Sequence, residues 1–556
     1  MCGIAGLLGR EDKGLVRSMA DRLAHRGPDG EGLFTDEGVT LAHRRLAILD
    51  KEHGAQPMHS GDGRHVIVYN GECYNHRDLR SALEAEGVSF QSHADTETVV
   101  EGYRSWGEGV VARMEGMFAF AVWDTVERTL FMARDPFGVK PFFYAFAGGD
   151  LVFASEQKAL FAHPELAAVP DLDRIRERAS LEFLTGQATL FQGVRQLPPG
   201  TWAKVRPGEA RVDWRPYYHV PVEHYGSVED AARAIKDRFV ASVEEQLMSD
   251  VPLGVILSGG FDSAVVAAVH QRLSDGPIRT FTVADSDDVE DYREARRVAE
   301  HLGTEHHEAF FGLDDVLRDL PQYTWHNENI NYTEFFFLPL FRMTRRHVTV
   351  ALCGQGSDEL WGGYDRYRAP LPLAHERLAR IRRAAPAHAE ELATQVAQTH
   401  ISGSSLAEWD QQGQLSNFQL RLVDRNSMAH SLEVRVPFLS RPMHRASRAV
   451  PWGWKLHGDP HGLVEKWVLR RALEDVGLPE DIVWRRKVPA GRATSPGVMH
   501  AFEAYAETLV PPDRMKRHRL RGVFRLPAEQ LLFDLWEEVL VHRDGQIRGL
   551  ALEDLA

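Results

Sequence analysis

The chain has 556 residues, 43% of them hydrophobic and 26% charged, which is typical of a soluble globular protein with more than one domain. Its 65 Lys and Arg residues against 80 Asp and Glu residues give a formal net charge of −15. This argues against sequence-independent binding to nucleic acid, which depends on Lys and Arg displacing counterions. No apolar run reaches the about 20 residues of a membrane span and no apolar leader opens the chain, so we expect a cytoplasmic protein.

Short alternating runs, separated by Gly, Asp and Pro, predict a β-rich layered domain in the first part of the chain. The clearest of these runs are RHVIVYNGECYN, MFAFAVWD, TLFMARD and DLVFASE. The segment 197–230 predicts a last hairpin followed by a polar linker. We therefore place a first domain at residues 1–208.

Beyond the linker, apolar strands alternate with helical segments, which predicts a parallel, doubly wound sheet. GVIL precedes SAVVAAVHQRL, IRTFTVAD precedes DYREARRVAEHL, and HVTVALCG precedes another turn. The last third is predicted to be helical, with EKWVLRRALEDVG and HAFEAYAETLV as the clearest segments. We place this second domain at residues 222–556.

The first chemical feature is Cys2, directly behind Met1 and followed by the small Gly3. Removal of Met1 would leave Cys2 with a thiol and an α-amine. Their ordinary pKa values, about 8.5 and about 7.7–8.0, allow the amine to take the thiol proton near neutral pH. Taken alone this is a weak signal, because an inert terminal thiol is the commoner case.

Four further segments accompany Cys2. They are HRGPDG at 25–30, LAHRRLAILD at 41–50, YNGECYNH at 69–76 and SHADTETVVEGY at 92–103. Together with MCGIAG they resemble the class II glutamine amidotransferases, which are N-terminal-nucleophile hydrolases with an αββα sandwich. The resemblance implies that Cys2 attacks the side-chain amide of glutamine.

The same resemblance implies a role for five more residues. Asn70 and Gly71 would form the oxyanion hole of the tetrahedral intermediate. Arg45 would hold the α-carboxylate of glutamine in a bidentate pair. Glu72 and Asp95 would accept hydrogen bonds from the α-ammonium. Singly, such charged residues are more often solvated surface than ligands, and only the joint pattern reverses that reading.

The second chemical feature is VILSGGFDSAVV at 255–266, where an apolar strand runs into a loop and a helix. The glycines let the backbone approach an anion, and the amides at the helix start face it. The loop lacks the GK[ST] of a Walker A motif and the GxGxxG of a dinucleotide site. It resembles the pyrophosphate loop of ATP pyrophosphatases that adenylate their substrate. The predicted phosphate-binding residues are Ser258, Gly259, Gly260, Asp262 and Ser263.

Further downstream lie ALCGQGSDELWGGYDRY at 351–367, NSMAHSLEVRVPFL at 426–439, VEKWVLRRAL at 464–473 and DIVWRRKVPAG at 481–491. With the SGGFDS loop they resemble the synthetase half of glutamine-dependent asparagine synthetases, so the resemblance covers nearly the whole chain.

It implies that Asp262 and Asp358 bind Mg²⁺, that Lys487 contacts the phosphates of ATP, and that Arg470 is a further phosphate ligand. For Lys487 a surface lysine is the alternative. The adenine is expected against the backbone near Leu257, Val283 and Gly354.

Two departures from this family concern the acceptor acid. The family carries GEGSDE, whose Glu is thought to relay a proton, whereas Gln355 stands here and cannot ionise. Aspartate-using members also carry a TTIRAS-like segment whose Arg holds the substrate α-carboxylate. Alignment on Pro339 and the strand at 348–352 places Glu334 and Phe335–Phe337 there instead. Either these residues form the acceptor region, or the aromatics are core and a basic residue arrives from elsewhere.

Three function classes follow. The first is an ATP- and glutamine-dependent amide synthetase that adenylates a carboxylic acid, either aspartate or a more apolar or amine-bearing acid of a specialised pathway. The second is an intramolecular, lactam-type ligase, against which the intact glutaminase residues argue. The third is a glutamine or nucleotide sensor, against which the complete phosphate apparatus argues. A homodimer is left open.

Overall fold

The structure is a computed structural model that describes residues 1–221, 223–331, 333–458, 462–486 and 494–555. Lys487 lies outside these residues. Two antiparallel six-stranded sheets are built from the first part of the chain. In spatial order, the first sheet contains Arg195–Gln196, Phe143–Ala147, Asp150–Ala154, Gly3–Leu8, Val39–Arg45 and Gly30–Asp36. The second contains Arg215–Pro216, Thr201–Val205, Thr129–Arg134, Gly116–Asp124, His65–Cys73 and Met58–His59.

These two sheets pack face to face and are covered by helices on their outer faces. In the strand Gly3–Leu8 successive side chains point to opposite faces, so Ile4 lies between the sheets and Leu7 lies under the helix Lys13–Asp21. The second sheet is covered in the same way by Asp95–Trp106. The predicted αββα sandwich is confirmed. The α-helices of this part are Lys13–Asp21, His76–Ala85, Asp95–Trp106, Val110–Arg113, Gln157–Leu160 and Leu172–Leu181.

The second part of the chain contains a parallel five-stranded sheet with helices on both faces, so the doubly wound prediction is also confirmed. Its spatial order is Glu305–Phe310, Arg279–Ala284, Leu253–Ile256, Val350–Leu352 and Glu433–Arg435. A two-stranded hairpin, Leu456–His457 with Val464–Glu465, lies outside it. The α-helices are Val228–Gln246, Phe261–Leu273, Glu290–Leu302, Leu313–Asn327, Phe337–Arg345, Ser357–Trp361, Pro370–Ala384, Ala389–Thr399, Gly403–Asp410, Leu420–Met428, Arg441–Ala449, Trp452–Lys455, Trp467–Ala472, Glu480–Val483, Pro496–Leu509, Pro512–Arg517 and Pro527–Glu537.

The order of the parallel strands creates a crevice at the centre of this sheet. The central strand Leu253–Ile256 is followed in sequence by Arg279–Ala284 on one side, and the chain returns later to Val350–Leu352 on the other. Connections that leave in opposite directions open a crevice at the carboxyl ends of the two strands, which is where ligands bind in open α/β sheets. Within the described ranges, every helix is too short or too polar to cross a bilayer.

Candidate active sites

The residues predicted to bind glutamine meet in one small cavity of the first domain. It is lined by Cys2, Arg45, Gly71, Glu72 and Asp95, together with Met1, and it leaves only about 30 Å³ free. Cys2 lies directly before the strand Gly3–Leu8, Arg45 ends the strand Val39–Arg45, and Asp95 begins the helix Asp95–Trp106. The fold thus assembles residues that are far apart in sequence.

Cys2 and Asn70 are in direct contact. The backbone N–H of Cys2 donates to Asn70 Oδ1 at 2.9 Å. Asn70 Nδ2 is buried and has no hydrogen-bond partner among the described residues. A buried donor without a partner is costly and needs an explanation, and an oxyanion would supply the partner. Burial raises the pKa of the Cys2 thiol above its ordinary value, and the neighbouring N-terminal ammonium acts against that increase.

Arg45 is held rigidly at the cavity by a tight loop. Its guanidinium donates to the backbone carbonyls of Leu49, Asp50 and Lys51 at 2.7–3.2 Å. Gly54 approaches so closely that a Cβ there would lie 2.4 Å from Arg45 Nη2. The loop therefore requires a glycine, and it orients the cation that is predicted to hold the carboxylate of glutamine.

The two acids of this cavity are buried, and the second domain contributes charges beside them. Burial raises the pKa of Asp95 to about 6, and burial raises the pKa of Glu72 well above its ordinary range. Arg435 Nη2 lies 3.7 Å from Glu72 Oε2, and Glu433 Oε2 accepts from the Met1 ammonium at 2.9 Å. Sequence reasoning missed both residues, although LEVRVPF contains them, because nothing local shows that they reach another domain.

The residues predicted for ATP lie at the crevice of the parallel sheet. They surround a cavity of about 140 Å³. The predicted residues that line it are Leu257, Ser258, Asp262, Ser263, Val283, Gly354, Gln355 and Asp358. Gly259 and Gly260 complete the loop between the strand Leu253–Ile256 and the helix Phe261–Leu273.

This loop is closed by its own hydrogen bonds. The backbone N–H of Ser258 donates to Ser263 Oγ at 3.0 Å, and that hydroxyl donates to the Gly260 carbonyl at 3.1 Å. Gly259 has φ +72°, and a Cβ there would lie 2.3 Å from the carbonyl oxygen of Asp291. Only glycine fits this position, so backbone geometry alone requires a glycine here, apart from the predicted contact with phosphate.

Asp262 and Asp358 converge on a single positive charge. Lys466 Nζ lies 2.6 Å from a carboxylate oxygen of each, and its side chain is buried. Two carboxylates that meet around one cation form a donor set suited to Mg²⁺, so the residues fit that ion. Lys466 was not predicted, because a lysine directly before a helix is usually a surface residue. It lies in VEKWVLRRAL, but only its burial identifies it.

Two arginines lie behind the loop rather than in the cavity. Arg470 donates to Glu465 and to the carbonyl of Val483, and its guanidinium stacks over the Phe261 ring at 4.8 Å. The structure therefore places it as a support of the loop, not as a residue lining the cavity. Arg485, which the sequence did not single out, donates to the Gly259 carbonyl at 2.8 Å and thus contacts the loop directly.

The predicted acceptor residue Phe335 does not line this cavity, but the two residues that follow it do. Phe335 packs against Tyr323 and Phe502 and lines a separate cleft of about 560 Å³. Phe336 and Phe337 instead line the 140 Å³ cavity, which we call the nucleotide cavity because residues predicted for ATP surround it. The segment turns into the helix Phe337–Arg345, and neighbouring residues of a turn point in different directions, which the alignment does not show.

Glu334 also lies away from the cavity. Its carboxylate accepts from Asn331 Nδ2, and burial raises its pKa above the ordinary value. Of the three residues predicted for the acceptor region, only Gln355 lines the cavity. The described residues that line it include three Asp and four Phe, but no Arg or Lys.

Comparison with known proteins agrees with both halves of this description. A family described as glutamine amidotransferase domain matches residues 1–218, and the asparagine synthase family matches residues 234–543, more than half of the chain. The chain belongs to the asparagine synthase family. As a member of it, the chain is a carbon–nitrogen ligase that uses glutamine as nitrogen donor, as the sequence predicts.

Several asparagine synthases are similar to it over most of their length. Asparagine synthetase [glutamine-hydrolyzing] 3 of Bacillus subtilis is 30% identical over 96% of this chain and 93% of its own. Asparagine synthetase 1 of the same organism is 29% identical over 88% and 86%. Asparagine synthetase 2 of Arabidopsis thaliana is 31% identical over 88% and 78%. The solved glutamine phosphoribosylpyrophosphate amidotransferase of B. subtilis is 16% identical over 55% of this chain and 65% of its own, with a TM-score of 0.30.

Proposed function

We propose that this enzyme transfers ammonia from glutamine to a carboxylic acid that it first adenylates with ATP, and that this acid is less polar than aspartate. The observation that carries the second part is the nucleotide cavity, whose described lining contains Phe336 and Phe337 but no basic side chain. The first part is supported by the two cavities and by the family assignment.

The glutamine half of the reaction needs Cys2 with a free α-amine. The amine takes the thiol proton, the sulfur attacks the side-chain amide carbon, and Asn70 Nδ2 donates to the oxyanion. Ammonia leaves with the transferred proton, and water then hydrolyses the thioester to give glutamate. Arg45 orients the substrate through its α-carboxylate, since its guanidinium is already fixed at the cavity.

In the synthetase half, the substrate carboxylate attacks the α-phosphorus of ATP and pyrophosphate leaves. The 258–263 loop positions the phosphates, and Asp262 and Asp358 would hold Mg²⁺, which when bound neutralises phosphate charge. Ammonia then attacks the acyl carbon, and AMP departs with the former carboxylate oxygen. Gln355 can orient groups by hydrogen bonding but cannot take the ammonia proton, which leaves to phosphate or water.

The lining of the cavity sets the preferred acid. Aspartate carries a second carboxylate, and burying it without a cation costs several kcal/mol. The nearby cations are already paired with lining aspartates, Lys466 with Asp262 and Asp358 and Arg485 with Asp291. An acid with an apolar or amine-bearing body avoids this cost and packs against the phenylalanines. Aspartate itself is the alternative that the names of the relatives favour.

A panel of acids at matched concentrations tests the proposal. AMP formation is measured with glutamine, ATP and Mg²⁺ for aspartate, aliphatic acids, aromatic acids and amino acids with an additional amine. We expect an apolar or amine-bearing acid to give the highest kcat/KM. If aspartate gives the highest value, the enzyme is an ordinary asparagine synthetase. If AMP forms with one acid equally well without glutamine or ammonia, and a lactam results, the intramolecular ligase replaces the proposal.

A further inference from the structure

One strand of the second domain lies between the two cavities. Glu433–Arg435 is the edge strand of the parallel sheet and pairs with Val350–Leu352, with Leu352 opposite Arg435. The backbone N–H of Cys353 donates to the Arg435 carbonyl at 2.9 Å. Cys353 and the two residues after it line the nucleotide cavity. The backbone of Arg435 is therefore fixed to the wall of that cavity.

The side chain of the same residue reaches Glu72, which lines the glutamine cavity. Arg435 is fully buried, and Nη1 donates to the carbonyls of Gln246 and Met248 at 2.6 Å each. Nε donates to Glu433 Oε1 at 2.6 Å, which leaves Nη2 facing Glu72 at 3.7 Å. Neither Arg435 Nη2 nor Glu72 Oε2 has a hydrogen-bond partner among the described residues. A movement of about 1 Å or less would turn this contact into a hydrogen bond.

The positive charge of Arg435 favours the ionised form of Glu72. Burial raises the pKa of Glu72, and the carboxylates of Glu433 and Asp95 raise it further, whereas Arg435 lowers it. Glu72 must be ionised to receive the α-ammonium of glutamine. Met1 supplies a second positive charge in the unprocessed chain, through its 2.9 Å pair with Glu433. After Met1 is removed, that charge moves away from Glu433, and Arg435 has both acids to balance.

We propose that Arg435 is a positioning residue of the glutamine site and couples it to the nucleotide site through the strand Glu433–Arg435. A shift of the 353–355 segment on ATP binding moves the Arg435 backbone, and the guanidinium then tightens or loosens its hold on Glu72. Arg435 touches no reacting atom, so it acts on how well glutamine is bound and oriented. This inference rests on the proposed glutaminase activity.

The test compares Arg435→Lys with a matched control, Arg441→Lys. Lysine keeps the charge but loses the planar fork that makes four contacts. Arg441 also reaches from the second domain to the first, donating to the carbonyls of Met114 and Ala112, but the acid it faces is Glu115, which does not line the glutamine cavity. We expect Arg435→Lys to raise the glutamine KM about tenfold or more and Arg441→Lys to change it by less than about twofold. Synthesis from ammonium salts should stay within about twofold of wild type in both, because it bypasses glutamine.

Coupling is measured as the change in glutamine KM when saturating ATP and acceptor are added. We expect the glutamine KM of wild type to change about threefold or more, and that of Arg435→Lys to change by less than half as much. If Arg435→Lys proves unfolded, Glu433→Gln, which removes one anchor of the guanidinium at constant size, must show the same loss of response. An unchanged glutamine KM and an unchanged response in the variant overturn the inference. Absence of glutaminase activity in wild type overturns the proposed function instead.

Discussion

At the scale of single residues, the proposed glutamine site depends on a thiol and an amine that both belong to Cys2. Its cavity is lined by a fixed cation on Arg45 and two buried acids, and Asn70, in contact with Cys2, supplies a donor without a partner among the described residues. The sequence predicted each of these from motifs, because they lie inside contiguous, recognisable segments. It did not predict Lys466 or Arg435, whose significance comes from burial and from partners far along the chain.

Cys2→Ala should abolish glutamine-dependent synthesis and leave synthesis from ammonium salts intact. The substitution removes the nucleophile but none of the groups at the nucleotide cavity. The measurement is amide formation with glutamine and with ammonium chloride, in parallel. Glutaminase turnover at the wild-type rate in Cys2→Ala would show that another group attacks glutamine.

A chain that retains Met1 should behave like Cys2→Ala, because its Cys2 nitrogen is an amide and cannot act as base.

The glutamine KM should rise as pH falls through about 6. Burial raises the pKa of Asp95 to about 6, so below that pH the carboxylate gains a proton and loses the charge that attracts the α-ammonium of glutamine. We expect a rise approaching tenfold per pH unit below the pKa. Asp95→Asn removes this ionisation, so its KM should be high and its remaining pH dependence should come from Glu72, whose pKa burial also raises. A wild-type KM that is constant from about pH 7.5 to about pH 5 would contradict this.

At the scale of elements, apolar patterning predicted the strands and helices that carry the fold. The predicted strands in RHVIVYNGECYN and MFAFAVWD are His65–Cys73 and Gly116–Asp124, and GVIL lies in the central parallel strand. Two strands of the parallel sheet were missed. Glu305–Phe310 is a polar edge strand with the sequence EHHEAF, and Glu433–Arg435 has only three residues, two of them charged. Neither shows the apolar run that marks a buried parallel strand.

The loop before the helix Phe261–Leu273 should not tolerate a side chain at Gly259. Gly259→Ala places a Cβ 2.3 Å from the Asp291 carbonyl oxygen at φ +72°, so the loop must move. We expect loss of about 1–3 kcal/mol in the free energy of unfolding and a large fall in pyrophosphate release. Glutaminase activity should persist, because the other cavity is unaffected.

The matched control for this variant is Gly276→Ala, since no heavy atom lies within 4 Å of a Cβ there. It should release pyrophosphate at the wild-type rate. Equal rates in Gly259→Ala and Gly276→Ala would mean that the loop does not hold the phosphates.

At the scale of the whole molecule, one cavity lies in the antiparallel sandwich and the other at the parallel sheet. Buried ion pairs join the two halves. Sequence reasoning predicted the kind of fold in each half, because each half carries its own motifs. It could not predict how they meet, since the pair of Met1 with Glu433 joins residues 432 positions apart and no local pattern encodes such a distance.

The two activities should be separable by changes at the nucleotide cavity. Asp262→Asn and Asp358→Asn each remove a negative oxygen from the predicted Mg²⁺ site, so each should eliminate pyrophosphate release. Glutamine hydrolysis should continue, since neither residue lines the glutamine cavity. Asp275→Asn, at an exposed position of the same domain, is the control and should leave both activities unchanged. Normal pyrophosphate release in either variant would place the metal elsewhere.

The burial of Met1 limits when this residue can be removed. Met1 is 1% exposed, and its ammonium is held by Glu433 of the second domain. An aminopeptidase must draw the first residue into its own cleft, which the closed molecule does not allow. Ribosomes add about 5–20 residues per second, so the later part of the chain takes tens of seconds to emerge. If Cys2 is the nucleophile, as we propose, trimming must be finished within that interval, because a chain that folds first would keep its methionine.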